Sequence, residues 1–199
     1  MQNYAPPAPR SYPVRLYLIG LPGSGKTTLA KTLGRRMPGQ VTALDLDKRI
    51  EQHTGQTIAS LFQAHGEAYF RALEAEQLRS LPPAPTGRLQ VVATGGGAPL
   101  FHGNLAYLKA TGAVVWLEVP LPALARRLAN SNNPRPLFAG VSIAEKLEAL
   151  AQARYPTYEQ ADVRLSARTP AEALEGILAQ WEGLLRLAAA RAQPSAPTS

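Results

Sequence analysis

The chain has 199 residues, the length of one ordinary domain, and 45% of them are hydrophobic, which is enough for a sizeable core. It contains no cysteine, so disulfides, thiolate metal sites and cysteine nucleophiles are excluded. The chain has 21 basic residues, 16 arginines and 5 lysines, against 14 acidic residues, which gives a net charge of +7, and the basic residues are dispersed along the chain. This dispersion favours sites for small anions and argues against a nucleic-acid partner.

The two ends of the chain differ from its middle. Residues 1–13 contain four prolines and are predicted to form a flexible lead, and residues 193–199 are predicted to form a disordered tail. The middle, residues 14–192, is predicted to be a single domain. The N-terminal residues lack a signal-peptide pattern, and no run of about 18 apolar residues occurs. We therefore expect a cytoplasmic protein without a membrane partner.

Short apolar runs alternate with helical patterns along the middle of the chain. The predicted strands are Val14–Ile19, Val41–Leu44, Val91–Ala93, Ala113–Leu117 and Asp162–Leu165. The predicted helices are about Lys26–Met37, a long region between Ile58 and Leu81, Leu121–Ala129, Ile143–Arg154, and a final helix with Thr169 as its cap and Pro170 as its first residue. This alternation predicts an α/β fold whose parallel sheet has helices on both faces and binds ligands at the carboxyl ends of its strands.

Residues Gly20–Thr27 match the P-loop pattern in full, between a predicted strand and a predicted helix. The glycines let backbone N–H groups turn toward a phosphate, and the helix N-terminus adds its positive end. Lys26 can reach the β- and γ-phosphates, and the Thr27 hydroxyl can bind Mg²⁺. A bare strand–helix turn is the alternative, but a full match in this context rarely arises by chance. The pattern predicts ATP as a substrate and one Mg²⁺ ion.

Two of the three aspartates, Asp45 and Asp47, directly follow the second predicted strand. Their spacing places both on one face of an extended segment. Asp45 is predicted to hold Mg²⁺, because no acid ends the third strand and Glu118 at the end of the fourth fits poorly. Asp47 is predicted to accept the proton of an acceptor hydroxyl. The alternative is that Asp47 caps a helix that starts at Lys48, and both roles are compatible.

A glycine triplet and three arginines complete the candidate residues. Gly95–Gly97 follows the third strand and offers unhindered N–H groups, although a simple tight turn is an equal alternative. Taken singly, Arg71 fits a solvated helix face with a pair to Glu74, and Arg154 fits a charge at a helix C-terminus. Arg135 lies in an irregular, proline-flanked segment at about 131–139, which is typical of a lid in phosphoryl transfer.

Together these motifs resemble the shikimate kinase family, over roughly residues 14–185. The P-loop alone indicates only nucleotide binding, whereas the double aspartate, the Phe-Arg pair, the glycine triplet and the late arginine are specific in combination. In chain order, the motifs are Gly20–Thr28, Leu44–Asp47, Thr54–Ile58, Gly66-Glu67 with Phe70-Arg71 and Glu74, Gly95–Ala98, Arg135–Leu137, and Arg154-x-Pro156-x-Tyr158.

The resemblance implies a doubly wound, five-stranded parallel sheet of the nucleoside-monophosphate-kinase type with a mobile lid. It implies transfer of phosphate from ATP to the 3-hydroxyl of shikimate, a step in chorismate and aromatic amino-acid biosynthesis. The implied shikimate-binding residues are Asp47, Arg71, Gly96, Gly97 and Arg154, to which we add Gly95 from the same triplet. The implied ATP-binding residues are Gly23, Ser24, Gly25, Lys26, Thr27, Thr28, Arg127 and Arg135. Thr27 and Asp45 are the expected metal ligands, the expected catalytic residues are Lys26, Asp47 and Arg135, and we expect a monomer.

Other functions share part of this pattern. A kinase of another small anionic polyol, such as gluconate, would share the P-loop and the lid but should lack the Phe-Arg pair, the triplet and the late arginine. A nucleoside-monophosphate kinase would need a base pocket at the acceptor site. A nucleic-acid-binding protein would show salt-sensitive binding that does not depend on shikimate. A regulatory ATP binder without turnover is a further alternative, although every residue that catalysis needs is present.

Overall fold

The computed structural model describes residues 14–83, 87–130 and 142–192. Four predictions lie outside the described residues: the lead at 1–13, the lid at 131–139, Arg135 within it, and the tail at 193–199. Within the described ranges, no helix is both long enough and apolar enough to cross a membrane.

Five strands form one parallel sheet in the order β2-β3-β1-β4-β5. The strands are β1 (Val14–Ile19), β2 (Val41–Asp45), β3 (Leu89–Ala93), β4 (Ala113–Glu118) and β5 (Val163–Ser166). The three central strands are almost entirely buried, because helices cover both faces of the sheet. The predicted fold class and all five predicted strands are confirmed, with shifts of one or two residues at the ends of four of them.

Eight α-helices surround the sheet in the described part of the chain. They are α1 (Lys26–Arg36), α2 (Leu46–Thr54), α3 (Ile58–Arg79), α4 (Asn104–Thr111), α5 (Leu121–Ala129), α6 (Ile143–Tyr158), α7 (Pro170–Ala179) and α8 (Trp181–Ala192), with a 3₁₀ turn at Ala98–Leu100. Helix α3 is kinked at Gly66, whose backbone has φ 79° and ψ 176°. The predicted cap of α7 is confirmed, since the Thr169 hydroxyl oxygen accepts a hydrogen bond from the Glu172 N–H at 3.1 Å.

The predicted final helix is two helices, because the chain turns at Gln180 and continues as α8. Helix α8 is held to the far end of the sheet by Arg191, which donates to both carboxylate oxygens of Asp162, at 2.5 and 2.8 Å, and to the carbonyl of Gly112 at 3.0 Å. The third aspartate of the chain therefore has a structural partner.

The alternative role of Asp47 as a helix cap is wrong. Helix α2 begins immediately after β2, so the last strand residue, Asp45, is in the cap position. Its Oδ1 atom accepts a hydrogen bond from the Lys48 N–H at 3.1 Å. Asp47 lies in the first turn of α2, which leaves its side chain available to the cleft above the sheet.

Candidate active site

The carboxyl ends of β1, β2 and β3 open into one cavity of about 760 Å³. The P-loop follows β1, the two aspartates follow β2, and the glycine triplet follows β3. Because neighbouring parallel strands end at the same edge of the sheet, these three segments meet there. Side chains from α3, α5 and α6 close the sides, and all three contribute an arginine: Arg71, Arg127 and Arg154. Thr28, from α1, also lines the cavity.

The P-loop wraps around the Lys26 ammonium group. Lys26 Nζ donates to the carbonyl oxygens of Gly20 at 2.8 Å and Leu21 at 3.0 Å, and to the Ser24 hydroxyl at 3.2 Å. Gly25, in the N-cap position before α1, has φ 95°, in the left-handed region that glycine adopts without strain. The loop thereby presents a fixed positive charge at the N-terminus of a helix, which is an arrangement that binds phosphate.

Thr27 and Asp45 are in direct contact at the base of the P-loop. The Thr27 hydroxyl donates to Asp45 Oδ2 at 2.5 Å. A hydroxyl and a carboxylate are the oxygen ligands that Mg²⁺ prefers, and Mg²⁺ commonly uses only one or two protein ligands and keeps several waters. Among the described residues, no three acidic or histidine side chains are placed so that together they could hold a metal ion. The Thr27–Asp45 pair therefore fits Mg²⁺ better than a metal held in a protein cage.

Asp47 is half-buried and lines the cavity. Burial, followed by the negative charge of Asp45, raises the pKa of Asp47, while Lys26 and Arg71 act in the opposite direction. A carboxylate with a raised pKa is a better proton acceptor than an exposed one, which suits a general base.

Arg71 is buried, so the solvated helix face considered from sequence is wrong, although the expected pair with Glu74 exists. Its Nη1 donates to Glu74 Oε2 at 2.7 Å, and its Nε and Nη2 donate to Glu67 Oε1 at 3.2 and 3.0 Å. Three aromatic rings lie around the guanidinium. Their centroids are 5.8 Å (Phe62), 5.1 Å (Phe70) and 4.9 Å (Phe101) from Cζ of Arg71. The group is therefore fixed in position by two carboxylates and by cation–π contacts.

Arg154 lies inside α6, which continues through Pro156 to Tyr158, so a role as a charge at the helix C-terminus is also wrong. It is buried on the same side of the cavity as Arg71. Glu74 is completely buried, and this burial raises its pKa to about 7, against the opposing charges of Arg71 and Arg154. One carboxylate oxygen of Glu74, Oε1, has no hydrogen-bond partner in the described structure.

The glycine triplet provides space for these side chains. A Cβ atom on Gly97 would lie 2.5 Å from Nη2 of Arg71, one on Gly96 would lie 2.8 Å from Nη1 of Arg154, and one on Gly95 would collide with Glu74. None of the three glycines has a positive φ angle. The Gly95 carbonyl accepts a hydrogen bond from the Ala98 N–H at 3.1 Å, so the triplet forms the tight turn considered from sequence, but without a positive φ angle that turn does not require glycine. The missing side chains of the triplet let two guanidinium groups lie against its backbone.

Arg127 lies on the P-loop side of the cavity. Its Nη1 donates to the carbonyls of Gly23 at 3.2 Å and Ser24 at 3.3 Å, and its Nη2 donates to the carbonyl of Arg168 at 2.7 Å. It thus links the P-loop to the segment between β5 and α7. Glu118, by contrast, is engaged by Arg164 at 2.6 Å, in keeping with its rejection as a metal ligand.

Three features of the site were not predicted from the sequence. They are the Phe101 ring over Arg71, the contact of Arg127 with the Arg168 carbonyl, and the hydrogen bond from the Tyr158 hydroxyl to the Gly96 carbonyl. Only Tyr158 had a sequence signal, because it closes the Arg-x-Pro-x-Tyr motif. The others depend on contacts between segments that are distant in the chain.

The parallel sheet, the complete P-loop and the half-buried aspartate in the same cavity define a P-loop kinase that phosphorylates a small molecule. The family model for shikimate kinase matches residues 22–181. The chain is also 42% identical over 151 residues to a shikimate kinase of Synechococcus elongatus, covering 76% of each chain. It is 40% identical over 184 residues to a shikimate kinase of Gloeobacter violaceus, covering 92% of this chain and 98% of the relative. The protein therefore belongs to the shikimate kinase family.

Solved structures agree with this assignment. A shikimate kinase from Acinetobacter baumannii in complex with shikimate matches with a TM-score of 0.74 and 32% identity, over 85% of this chain and 92% of that one. A shikimate kinase from Bacteroides thetaiotaomicron matches with the same score and identity, over 86% and 98%. A gluconokinase from Sinorhizobium meliloti, at 18% identity and a TM-score of 0.51, shares the fold alone. The shikimate interpretation is therefore favoured over the gluconate alternative.

Proposed function

We propose that this protein transfers the γ-phosphoryl group of ATP to the 3-hydroxyl of shikimate, giving ADP and shikimate 3-phosphate in chorismate biosynthesis. The observation that carries the proposal is the pair of buried arginines, Arg71 and Arg154, that lie against the glycine triplet beside Asp47 and the P-loop. Two buried guanidinium groups next to a potential base suit an acceptor that has both a carboxylate and hydroxyls.

The acceptor is held by groups of complementary charge. Arg71 and Arg154 bind the shikimate carboxylate through their guanidinium N–H groups. Asp47 and the N–H groups of Gly95–Gly97 hold the ring hydroxyls. This arrangement fixes the 3-hydroxyl next to Asp47 and points its oxygen toward the P-loop, where the γ-phosphate lies.

The transfer needs no covalent intermediate with the enzyme. Asp47 accepts the proton of the 3-hydroxyl while the oxygen of that hydroxyl forms a bond to the γ-phosphorus. The bond between that phosphorus and the bridging oxygen breaks in line, and ADP leaves with the electron pair. Lys26 stabilises the negative charge that spreads over the transferring group, and Arg135 is proposed to do the same from the lid segment.

The nucleotide is held by the P-loop and α5. The phosphates bind to Lys26, Arg135 and the residues Gly23, Ser24, Gly25, Thr27 and Thr28. Arg127 stacks on the adenine, a position consistent with its contacts along the outer side of the P-loop. Thr27 and Asp45 would hold one Mg²⁺ ion, which when bound neutralises charge on the phosphates. We also propose that the protein acts as a monomer in the cytoplasm.

The deciding experiment is ADP release by the purified full chain with ATP and magnesium, in the presence of shikimate, of gluconate, or of neither. We expect release that depends on shikimate. Lys26→Ala is the control, because it removes the charge at the centre of the P-loop and should abolish release while circular dichroism shows a retained fold. ADP release with gluconate but not with shikimate would mean that gluconate, and not shikimate, is the acceptor. Activity of Lys26→Ala equal to that of the wild type would refute the proposed phosphate site.

A second measurement distinguishes residues that bind shikimate from residues that bind ATP. Arg71→Ala and Arg154→Ala should each raise the KM for shikimate about 10-fold or more, as expected when a charge-assisted contact is lost, with little change in the KM for ATP. An effect confined to ATP would contradict the assignment of these arginines to the carboxylate.

A further inference from the structure

Tyr158, the last residue of α6, is completely buried beside the acceptor cavity, and the mechanism above does not use it. Its hydroxyl donates a hydrogen bond to the backbone carbonyl of Gly96. Its ring packs near Trp116 and Tyr155, with centroid distances of 5.9 and 6.4 Å. Burial raises the pKa of Tyr158 to about 12, so the hydroxyl keeps its proton and stays a donor.

Arg154 contacts the same glycine from the preceding turn of α6. Residues four apart on a helix share one face, so Arg154 and Tyr158 both face the glycine triplet. The guanidinium of Arg154 lies against Gly96, where a Cβ atom would be 2.8 Å from Nη1. One face of α6 therefore packs the Arg154 guanidinium close to the Cα of Gly96 and donates a hydrogen bond from Tyr158 to the Gly96 carbonyl.

The direction of the Gly96 carbonyl determines the direction of the next N–H group. The peptide bond between Gly96 and Gly97 is trans, so its C=O and N–H point in opposite directions. Because the carbonyl points to Tyr158 on α6, the Gly97 N–H points away from that helix. This N–H forms no hydrogen bond with another residue that the structure describes, and Gly97 lines the cavity.

We infer that Tyr158 is a positioning residue that locks the Gly96–Gly97 peptide, so that the Gly97 N–H is presented to an oxygen of the acceptor. The inference rests on the proposed function for the identity of that acceptor. A lock is needed here because a peptide between two glycines rotates with little steric resistance. Without the hydroxyl, the half-buried Gly96 carbonyl loses its hydrogen-bond donor. Rotation of the Gly96–Gly97 peptide then lets this carbonyl find another partner, but it turns the Gly97 N–H away from the acceptor.

The test is Tyr158→Phe, which removes one oxygen atom and keeps the ring packed against Trp116. We expect the KM for shikimate to rise about five- to tenfold, the size of one lost hydrogen bond, while the KM for ATP and kcat change little. Tyr155→Phe is the matched control, because it removes the same atom from a ring of the same helix and the same aromatic cluster. It should leave both KM values unchanged.

A nuclear magnetic resonance measurement tests the lock without turnover. The amide resonance of Gly97 should differ between the wild type and Tyr158→Phe in the absence of substrate, and its shift at saturating shikimate should be smaller in the variant than in the wild type. An unchanged Gly97 amide, an unchanged KM for shikimate, or an equal rise in both KM values with a lower Tm would overturn the inference. If the wild type releases no ADP with shikimate, the proposed function fails, and the comparison of substrate-free amide spectra still decides whether the lock exists.

Discussion

Asp45 and Asp47 are two residues apart, yet they have different environments. Asp45 accepts hydrogen bonds from the Thr27 hydroxyl and from the Lys48 N–H, so it joins the P-loop to the start of α2. Asp47 is half-buried in the acceptor cavity, and its pKa is raised by burial and by the charge of Asp45. The spacing predicted that both lie near the nucleotide, but the residue at which α2 begins decides which of them is the cap.

Replacement of Asp47 tests the proton acceptor. Because Asp47 is not the cap of α2, Asp47→Asn should leave the Tm nearly unchanged while kcat falls about 100-fold or more, the range for loss of a general base. Steady-state ADP release and thermal denaturation together check this. A lower Tm with an unchanged kcat would mean that Asp47 serves the fold and not the chemistry.

Replacement of Asp45 tests the metal ligand. Asparagine is about as good a helix cap as aspartate, so Asp45→Asn should keep the stability of α2. The variant loses a negatively charged oxygen, and the magnesium concentration that gives half-maximal activity should rise several-fold. A titration of activity with magnesium measures this shift. An unchanged midpoint would remove Asp45 from the proposed metal site.

At the scale of elements, the segment after β3 serves as a surface for two helices. Helix α3 places Arg71 over Gly97, and helix α6 places Arg154 over Gly96. Helix α3 resumes after the kink at Gly66, and the resumed part carries both Glu67 and Arg71. These two residues are four apart, so the Glu67 carboxylate lies within hydrogen-bond distance of the Arg71 guanidinium. The proposed binding of the acceptor by Arg71 and Arg154 therefore depends on how closely two helices approach one backbone segment.

A methyl group on Gly97 should disturb this approach. Gly97→Ala would place a Cβ atom 2.5 Å from Nη2 of Arg71, so the guanidinium must move, and we expect the KM for shikimate to rise with a smaller effect on ATP. Gly183→Ala is the control, because it lies in α8 with no atom within 4 Å of the added Cβ and should be neutral or slightly stabilising. Equal kinetics of the two variants would contradict the proposed contact.

At the scale of the whole molecule, a buried carboxyl group in the site makes the free energy of unfolding depend on pH. Glu74 is completely buried, and its pKa is raised from 4.5 to about 7, chiefly by burial. Between these two values the folded protein retains a proton that the unfolded chain releases. The free energy of unfolding must therefore fall as the pH rises through this window, and the raised pKa of Asp47 acts in the same direction.

The contribution of Glu74 to this slope is about 3 kcal/mol across the window. Denaturation of the wild type at several pH values between about 4.5 and about 7 should show the decrease, whereas Glu74→Gln, which keeps the shape and cannot titrate, should give a flatter profile. A profile that is the same in both proteins would show that Glu74 does not carry the effect.

The sequence predicted most of the fold and many of the residues brought together in the cavity, for reasons that differ between elements. The strands were found because buried parallel strands are continuous apolar runs bounded by turns. Helix α4, at Asn104–Thr111, was missed because it is short and carries little amphipathic pattern. The boundary between α7 and α8 was missed because neither proline nor glycine marks the turn at Gln180.

The sequence by itself determined what depends on neighbouring residues: the P-loop before α1, the Thr169 cap and the order of strands and helices along the chain. Only the tertiary structure decided that Arg71 and Arg154 are buried against the glycine triplet rather than solvated, and that Tyr158 reaches the Gly96 carbonyl. The physical reason is that local conformation follows from short-range sterics and hydrogen bonding. Contacts between distant segments instead arise when the strand order β2-β3-β1-β4-β5 brings the carboxyl ends of neighbouring strands together.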